Sequence, residues 1–391
     1  MTAEAEAVSP AELSMLPSCT LTPDQLGDLE LLLSGAYAPL AGFMTEADAS
    51  AVAASWQLAD GTPFPVPVTL DVAEGAGPAA PDGSPAGRVL LADPEGTPLA
   101  VMTITERTAQ PGGLVRLAGP VSANRPPEHG PFRRLMLSPE ATRTQLADGP
   151  VLAFATRAPL GSRQIGQLRH LAGQLRAQIL VLPLVSGRAD VVGTAPALIR
   201  TVLAAMPSLP STSLVVPIPF ARRPGPTGPA ARARELAGLA RIATAYGATH
   251  LMADGLSAGQ VPADADFQAS GVIPVLPSGD WAYDPRAEVW RPHALIEAGT
   301  EQEDLSADQL GDLLDSGSPI HPGLPRPRSP GSCGGCGGRA PSEASCSFSP
   351  GCLVPGSRLS PGTWLTCWLS GATARFRCLT AIWCASCSPP G

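Results

Sequence analysis

Two pairs of cysteines have the residue type and spacing for metal chemistry. Cys333-x-x-Cys336 and Cys384-x-x-Cys387 are C-x-x-C units, and two such units can close a zinc site of four thiolates. Four further cysteines stand between them (Cys346, Cys352, Cys367 and Cys378), and the intervening stretch has no strand or helix period to hold a tetrahedron. No metal site is assigned. His129, His170, His250, His293 and His321 are scattered without ligand spacing and are expected to be structural or surface side chains. The 26 basic residues are all arginine, so a P-loop lysine and a Schiff-base lysine are both excluded from this polypeptide. No G-x-G-x-x-G follows an apolar run, which argues against a dinucleotide oxidoreductase. Trp281, Tyr283 and Trp290 lack an accompanying basic groove and are expected to pack rather than to stack on bases.

The chain of 391 residues is long enough for two or three domains. Its net charge of −8 argues against nucleic acid or an anionic membrane as a partner. No apolar run reaches about 18 residues, so no membrane span is expected. The acidic start shows no signal-peptide pattern, and Cys19 is alone before Cys333, which together predict a cytoplasmic location.

The elements that would position a site follow from period and punctuation. Thr22-Pro23-Asp24-Gln25 has an N-cap, a proline at the first helical position and a capping box, with Leu26, Leu29, Leu32 and Leu33 behind it and Gly35 to end the helix. A second helix is predicted from about Thr45 to Trp56. Strands are predicted over Pro65–Val72, Arg88–Ala92 and Leu99–Ile104, with Asp93-Pro94-Glu95-Gly96 as a turn. This β-rich domain is expected to end near residue 147. Beyond it, apolar runs at 151–154, 179–185, 213–219, 250–254 and 272–276 alternate with helical stretches at about 162–178, 195–206, 229–246 and 304–316. That alternation predicts a parallel α/β sheet, whose ligands bind beyond the carboxyl ends of its strands. The loops after Phe154, Val185 and Asp254 are therefore the candidate site.

Several strings in order resemble the ATP sulfurylase (sulfate adenylyltransferase) family. Leu21–Glu30 and Gly35–Met44 resemble its opening helix and P-L-x-G-F-M segment, and Asp60–Val72 resembles its D-G-x-x-x-P-I-P-x-T-L-D-V strand. Asp93–Glu106, Tyr246–His250 and Leu305–Ile320 continue the order. The resemblance spans about residues 20–320. It implies a small β-rich PUA-like N-terminal domain (1–147) followed by a Rossmann-like parallel α/β nucleotidyltransferase domain (148–320). It also implies attack of sulfate on the α-phosphorus of ATP, giving adenylylsulfate and pyrophosphate. The implied ligands are ATP, with magnesium as part of the substrate, and sulfate or adenylylsulfate. No covalently bound cofactor is implied, and a homo-oligomer is compatible with the sequence.

The family's catalytic loops are altered here. Its first loop, Q-T/F-R-N-P-x-H-x-x-H, corresponds to Ala155–Gln164, which keeps Thr156, Arg157 and Pro159. Ala155 and Ala158 replace the Gln and Asn, and Gly161 and Gln164 replace the two His. What the resemblance leaves is an anion-site remnant at Thr156 and Arg157, with Arg163 beside it. The competing expectation is an exposed Arg157 without a ligand. The second loop, G-R-D-H-A-G, corresponds to Asp254–Gly259, of which only Ala258 and Gly259 match. The third, S-G-T-x-x-R, corresponds to a segment at Leu305–Gly311 without the Arg, where Ser306 and Gln309 make a helix capping box. Arg234-Glu235 echoes a P-R-E-A segment. Sulfate is a poor nucleophile, and loss of one preorganised donor costs about 10²–10³ in rate, so little or no sulfurylase turnover is expected.

Residues 322–391 contain one acid, Glu343, and no amphipathic period, and they are expected to form a low-complexity, disordered tail. Sulfurylases of this type are often fused to adenylylsulfate kinase, a P-loop enzyme. With synonymous codons, Pro350–Leu359 in the neighbouring frame can encode G-L-S-G-S-G-K-S-T, a P-loop with its lysine. The shifted frame passes through the single-codon residues Trp364, Trp368 and Trp383 without conflict. The tail is thus expected to be an out-of-frame adenylylsulfate kinase, with the shift near residues 320–326.

Overall fold

The computed structural model describes residues 13, 15–74, 87–124, 130–185, 195–221, 228–256, 261–262, 267 and 272–297. The predicted helix at 304–316, the segment Leu305–Gly311, the candidate residues Ala258 and Gly259, and the tail 321–391 with its cysteine pairs lie outside the described residues.

The first half is built on antiparallel pairing. Strand β1 (Ser18–Thr20) leads into helix α1 (Pro23–Leu33), followed by β2 (Gly42–Phe43) and helix α2 (Glu46–Ser55). The predicted capping box closes α1: Thr22 N donates to Gln25 Oε1 at 2.9 Å, and Gln25 N donates to Thr22 Oγ1 at 3.3 Å. Gly35 takes φ +78° just past its end. Strands β3 (Leu70–Ala73), β4 (Gly87–Ala92), β5 (Pro98–Ile104), β6 (Glu106–Gln110) and β7 (Leu114–Ala123) complete a seven-stranded sheet. The long β7 is its organiser, pairing antiparallel with β2, β3, β5 and β6. It can serve both ends because Gly119 (φ +143°) lies so close to β5 that a Cβ there would fall 2.0 Å from Thr103 O.

The strand predicted over Pro65–Val72 is shorter than expected and begins at Leu70. Val66 and Val68 are buried as the alternation required, but Pro65 and Pro67 have no N–H to give a ladder. The segment is held instead by single bonds, such as Met44 N to Val68 O at 3.0 Å.

After the short helix α3 (Pro139–Arg143) the chain enters the parallel sheet. Its strands and helices alternate: β8 (Val151–Thr156), α4 (Ser162–Leu175), β9 (Gln178–Pro183), α5 (Ala195–Ala205), β10 (Leu214–Val215), α6 (Pro229–Ala245), β11 (His250–Ala253) and β12 (Val275–Pro277). The strand order is β10-β9-β8-β11-β12, with every pair parallel. Residues 151–154 and 179–183 are buried on both faces, as a parallel strand covered by helices requires. Helix α4 stops before the expected residue 178 because Arg176 turns left-handed (φ 52°) and feeds directly into β9. An antiparallel hairpin of β13 (Trp281–Asp284) and β14 (Val289–Pro292), not foreseen from period alone, packs on α4. Gly166 admits it: a Cβ there would sit 3.0 Å from the Trp281 ring.

One buried apolar cluster runs through elements of both sheets, including Phe64, Val66, Phe220, Ala237 and Leu251. Helix α6 lies at this seam. Gly238 brings it so near Val66 that a Cβ would meet Val66 Cγ2 at 2.4 Å.

Candidate functional site

The strand order places a topological switch at the centre of the parallel sheet. From β8 the chain moves outward through β9 and β10, then returns to lay β11 on the other side of β8. The crevice beyond the carboxyl ends of β8 and β11 is where such sheets receive ligands. The loop after β8 and the first turn of α4 line it from one side, and the turn after β11 lines it from the other.

Each candidate residue in this crevice has an internal partner. The Thr156 hydroxyl accepts from Ala158 N at 3.0 Å and donates to Ala158 O at 2.7 Å, closing the local turn. Arg157 is not exposed: its guanidinium lies 5.9 Å from the Phe220 ring centroid, within cation–π range. Its Nη2 stands 3.4 Å from Glu235 Oε1 on α6. Arg163 Nη2 donates to Asp254 Oδ1 at 3.4 Å. Gln164 Nε2 donates to the other oxygen of the same carboxylate, Asp254 Oδ2, at 3.1 Å. Arg232 Nη2 donates to the main-chain O of Asp254 at 2.9 Å. Gly161, the N-cap of α4, supplies no side-chain cap.

The structure therefore brings Arg163 to the crevice together with two residues that sequence reasoning did not single out as partners. Gln164 was legible only as the replacement of a histidine. Asp254 was legible only as the start of a loop. Nothing in the sequence relates positions 164 and 254; the β8–β11 pairing does. One helical turn on from Arg163 and Gln164, on the same face of α4, Gln167 is wholly buried. Neither polar atom of its amide has a hydrogen-bond partner among the described residues.

The Arg234-Glu235 pair divides. Glu235 faces the crevice through Arg157, whereas Arg234 turns to the seam, donating to Val52 O at 3.1 Å and Ala53 O at 2.9 Å. His170 meets Trp281 edge-on at 5.6 Å and Tyr283 lies 5.9 Å from Trp290, so these aromatic rings pack. Among the described residues no group of three His, Cys, Asp or Glu side chains is arranged to hold a metal ion. No helix among them is long and apolar enough to cross a membrane.

A family model described as a PUA-like domain matches residues 1–110. The sulfate adenylyltransferase of Mycosarcoma maydis is 28% identical over 355 residues, covering 79% of this chain and 60% of that protein. The sulfate adenylyltransferase of Deinococcus radiodurans is 36% identical over 204 residues, covering 45% of this chain and 50% of that protein. Among solved structures, one described as a hexameric APS kinase from Thiobacillus denitrificans superposes with a TM-score of 0.67 at 25% identity, over 81% of this chain and 64% of that one. The chain thus spans at most about three-fifths of the curated relatives named here.

Proposed function

We propose that this chain is a member of the ATP sulfurylase (sulfate adenylyltransferase) family, a sulfate-assimilation protein whose sulfurylase half folds but sustains little or no turnover. One observation carries the reading. At the switch point, where sulfate and nucleotide phosphates would need donors, Arg163 and Gln164 point at the chain's own Asp254 carboxylate. Catalysis of this reaction is positioning plus stabilisation of developing negative charge. A carboxylate in the crevice opposes both, and Gly161 offers no side-chain donor in place of the family's first histidine. The remnant is Thr156, Arg157 and Arg163, with Ala258 and Gly259. ATP with magnesium and sulfate would be its substrates in any residual reaction, in the cytoplasm. Incubating the chain with ATP, sulfate and pyrophosphatase tests this reading. The expected result is adenylylsulfate formation at least ~10³-fold below a working sulfurylase, in line with the loss of several donors. Normal production would overturn it.

The parent gene, in this proposal, encodes an adenylylsulfate kinase behind the sulfurylase-like half. The neighbour described as an APS kinase supports the reading, since it shares this fold over 81% of this chain and only 64% of its own length is matched. Its hexameric description fits a homo-oligomer. Sequencing codons 315–330 is the direct test. An uninterrupted frame without an indel relative to the kinase frame would refute the fusion.

The folded sheet around altered catalytic loops supports a second reading, a non-catalytic scaffold that binds adenylylsulfate or a partner kinase. Calorimetric titration with adenylylsulfate separates the two, because binding without turnover supports the scaffold.

A further inference from the structure

We infer that Asp254 is the residue that closes the switch-point crevice to tetrahedral oxyanions, and that Arg163 and Gln164 form a latent oxyanion site behind it. The inference rests on the reading of this crevice as a former sulfate and phosphate pocket.

The two donors come from consecutive residues in the first turn of α4 and take one carboxylate oxygen each. A carboxylate held in this two-pronged way presents the same pair of acceptors as one edge of sulfate or of a phosphate group. Asp254 is not held there by burial. Its side chain is 37% exposed, and the ionic contact to Arg163 is long at 3.4 Å. A pair of that kind contributes little to stability. Its backbone has a separate anchor, the Arg232 donor on its main-chain oxygen at 2.9 Å. Removing the carboxylate therefore leaves the turn tethered and the two donors in place.

The same helix face holds more polar capacity than Asp254 uses. Gln167 is wholly buried, with neither amide atom partnered among the described residues. Leaving such a group unsatisfied is costly, and a purely structural contact would not require it. An unsatisfied buried amide one turn along α4 from Arg163 and Gln164 is what a helix face shaped around a polar ligand would leave.

The ligand class is a doubly charged tetrahedral oxyanion, either free sulfate or a phosphate group of a nucleotide. The wild-type chain, Asp254→Ala and Asp254→Asn are titrated calorimetrically with sodium sulfate and separately with ATP, each against sodium chloride of matched ionic strength. We expect sulfate to bind Asp254→Ala at least tenfold more tightly than wild type. The gain should disappear in Asp254→Ala/Arg163→Ala. A gain confined to ATP supports the site with a nucleotide phosphate as its ligand. Asp254→Asn keeps the size of the side chain, and it should show the gain even where the alanine variant folds poorly. Equal binding by wild type and both variants overturns the inference. So does a gain that survives loss of Arg163. Turnover by the wild-type chain would instead overturn the proposed function, and the two failures are read in different assays.

Discussion

At the seam between the two sheets, arginines of α6 reach across to main chain. Arg241 donates to Pro63 O at 3.2 Å and also to Ala38 O, with its guanidinium 4.7 Å from the Phe64 ring centroid. Arg234, two turns earlier on the same helix, repeats the arrangement on Val52 O, Ala53 O and the Trp56 ring at 5.1 Å. At the switch point, Arg157 and Arg163 meet the carboxylates of Glu235 and Asp254, both partly exposed and both at 3.4 Å. A main-chain carbonyl is fixed by its helix or loop and cannot leave, so the seam arginines are structural. A partly exposed side-chain carboxylate, such as Glu235 on α6 or Asp254 on its turn, can be displaced or mutated without unfolding anything. The same residue type thus joins the two sheets in one region and is merely neutralised in the other.

The largest effect should come from crowding the seam. Gly27 on α1 abuts Pro219, and a Cβ there would fall 2.3 Å from Pro219 O. Because that obstacle is backbone, Gly27→Ala should cost about 3 kcal/mol, the upper end for overpacking. A urea melt with a lowered midpoint and an unchanged slope would show it. Arg241→Ala should follow at roughly 2 kcal/mol, because charge-assisted bonds to two carbonyls and a ring contact are lost together. If either variant melts like wild type, the seam is not what joins the sheets.

The seam also predicts a pH dependence. Burial raises the Glu30 carboxyl to about 7 from an ordinary 4.5. Tyr246, at the end of α6, is pushed up to about 12, first by burial and then by the charge of Glu30, against a hydrogen bond with Ser34. Folded Glu30 keeps its proton where the unfolded chain has released it. Its stabilisation is therefore complete below about pH 4.5 and is lost as the pH rises through about 7. The loss should be on the order of 2 kcal/mol, because the carboxyl keeps some contact with water. Glu30→Gln should match wild type at pH 4 and melt higher at pH 8. Equal melting temperatures at pH 8 would remove Glu30 from the seam's energetics.

The smallest effect should be at the crevice. Glu235→Gln removes the charge facing Arg157 and should cost less than about 0.5 kcal/mol, as expected for a partly exposed pair. A loss comparable to that of Arg241→Ala would abolish the contrast between the two regions.

Much of this architecture was legible beforehand. Thr22 with Gln25, Thr45 ahead of α2 and the alternating runs after residue 150 are local signals, and local structure obeys them. The long β7 was missed because its value lies in pairing with four other strands, and pairing partners leave no mark within a ten-residue window. The hairpin carrying Trp281 and Trp290 was missed for a related reason: its stability comes from packing on α4. At the site, Thr156, Arg157 and Arg163 stood out as candidate ligands from their place in a loop motif, while Glu235 and Asp254 lay in motif segments without being marked as their partners.

By itself the sequence determined which groups are available: arginine but no lysine, Gly161 and Gln164 at the head of a helical stretch, and a parallel α/β order with its loops at the strand ends. Only the tertiary structure decided what those groups face. Laying β11 beside β8 brings Asp254 to Arg163 and Gln164 across about ninety residues of chain. Charges that far apart in sequence interact only at the distance the fold sets, so the neutralisation of this crevice belongs to the sheet order.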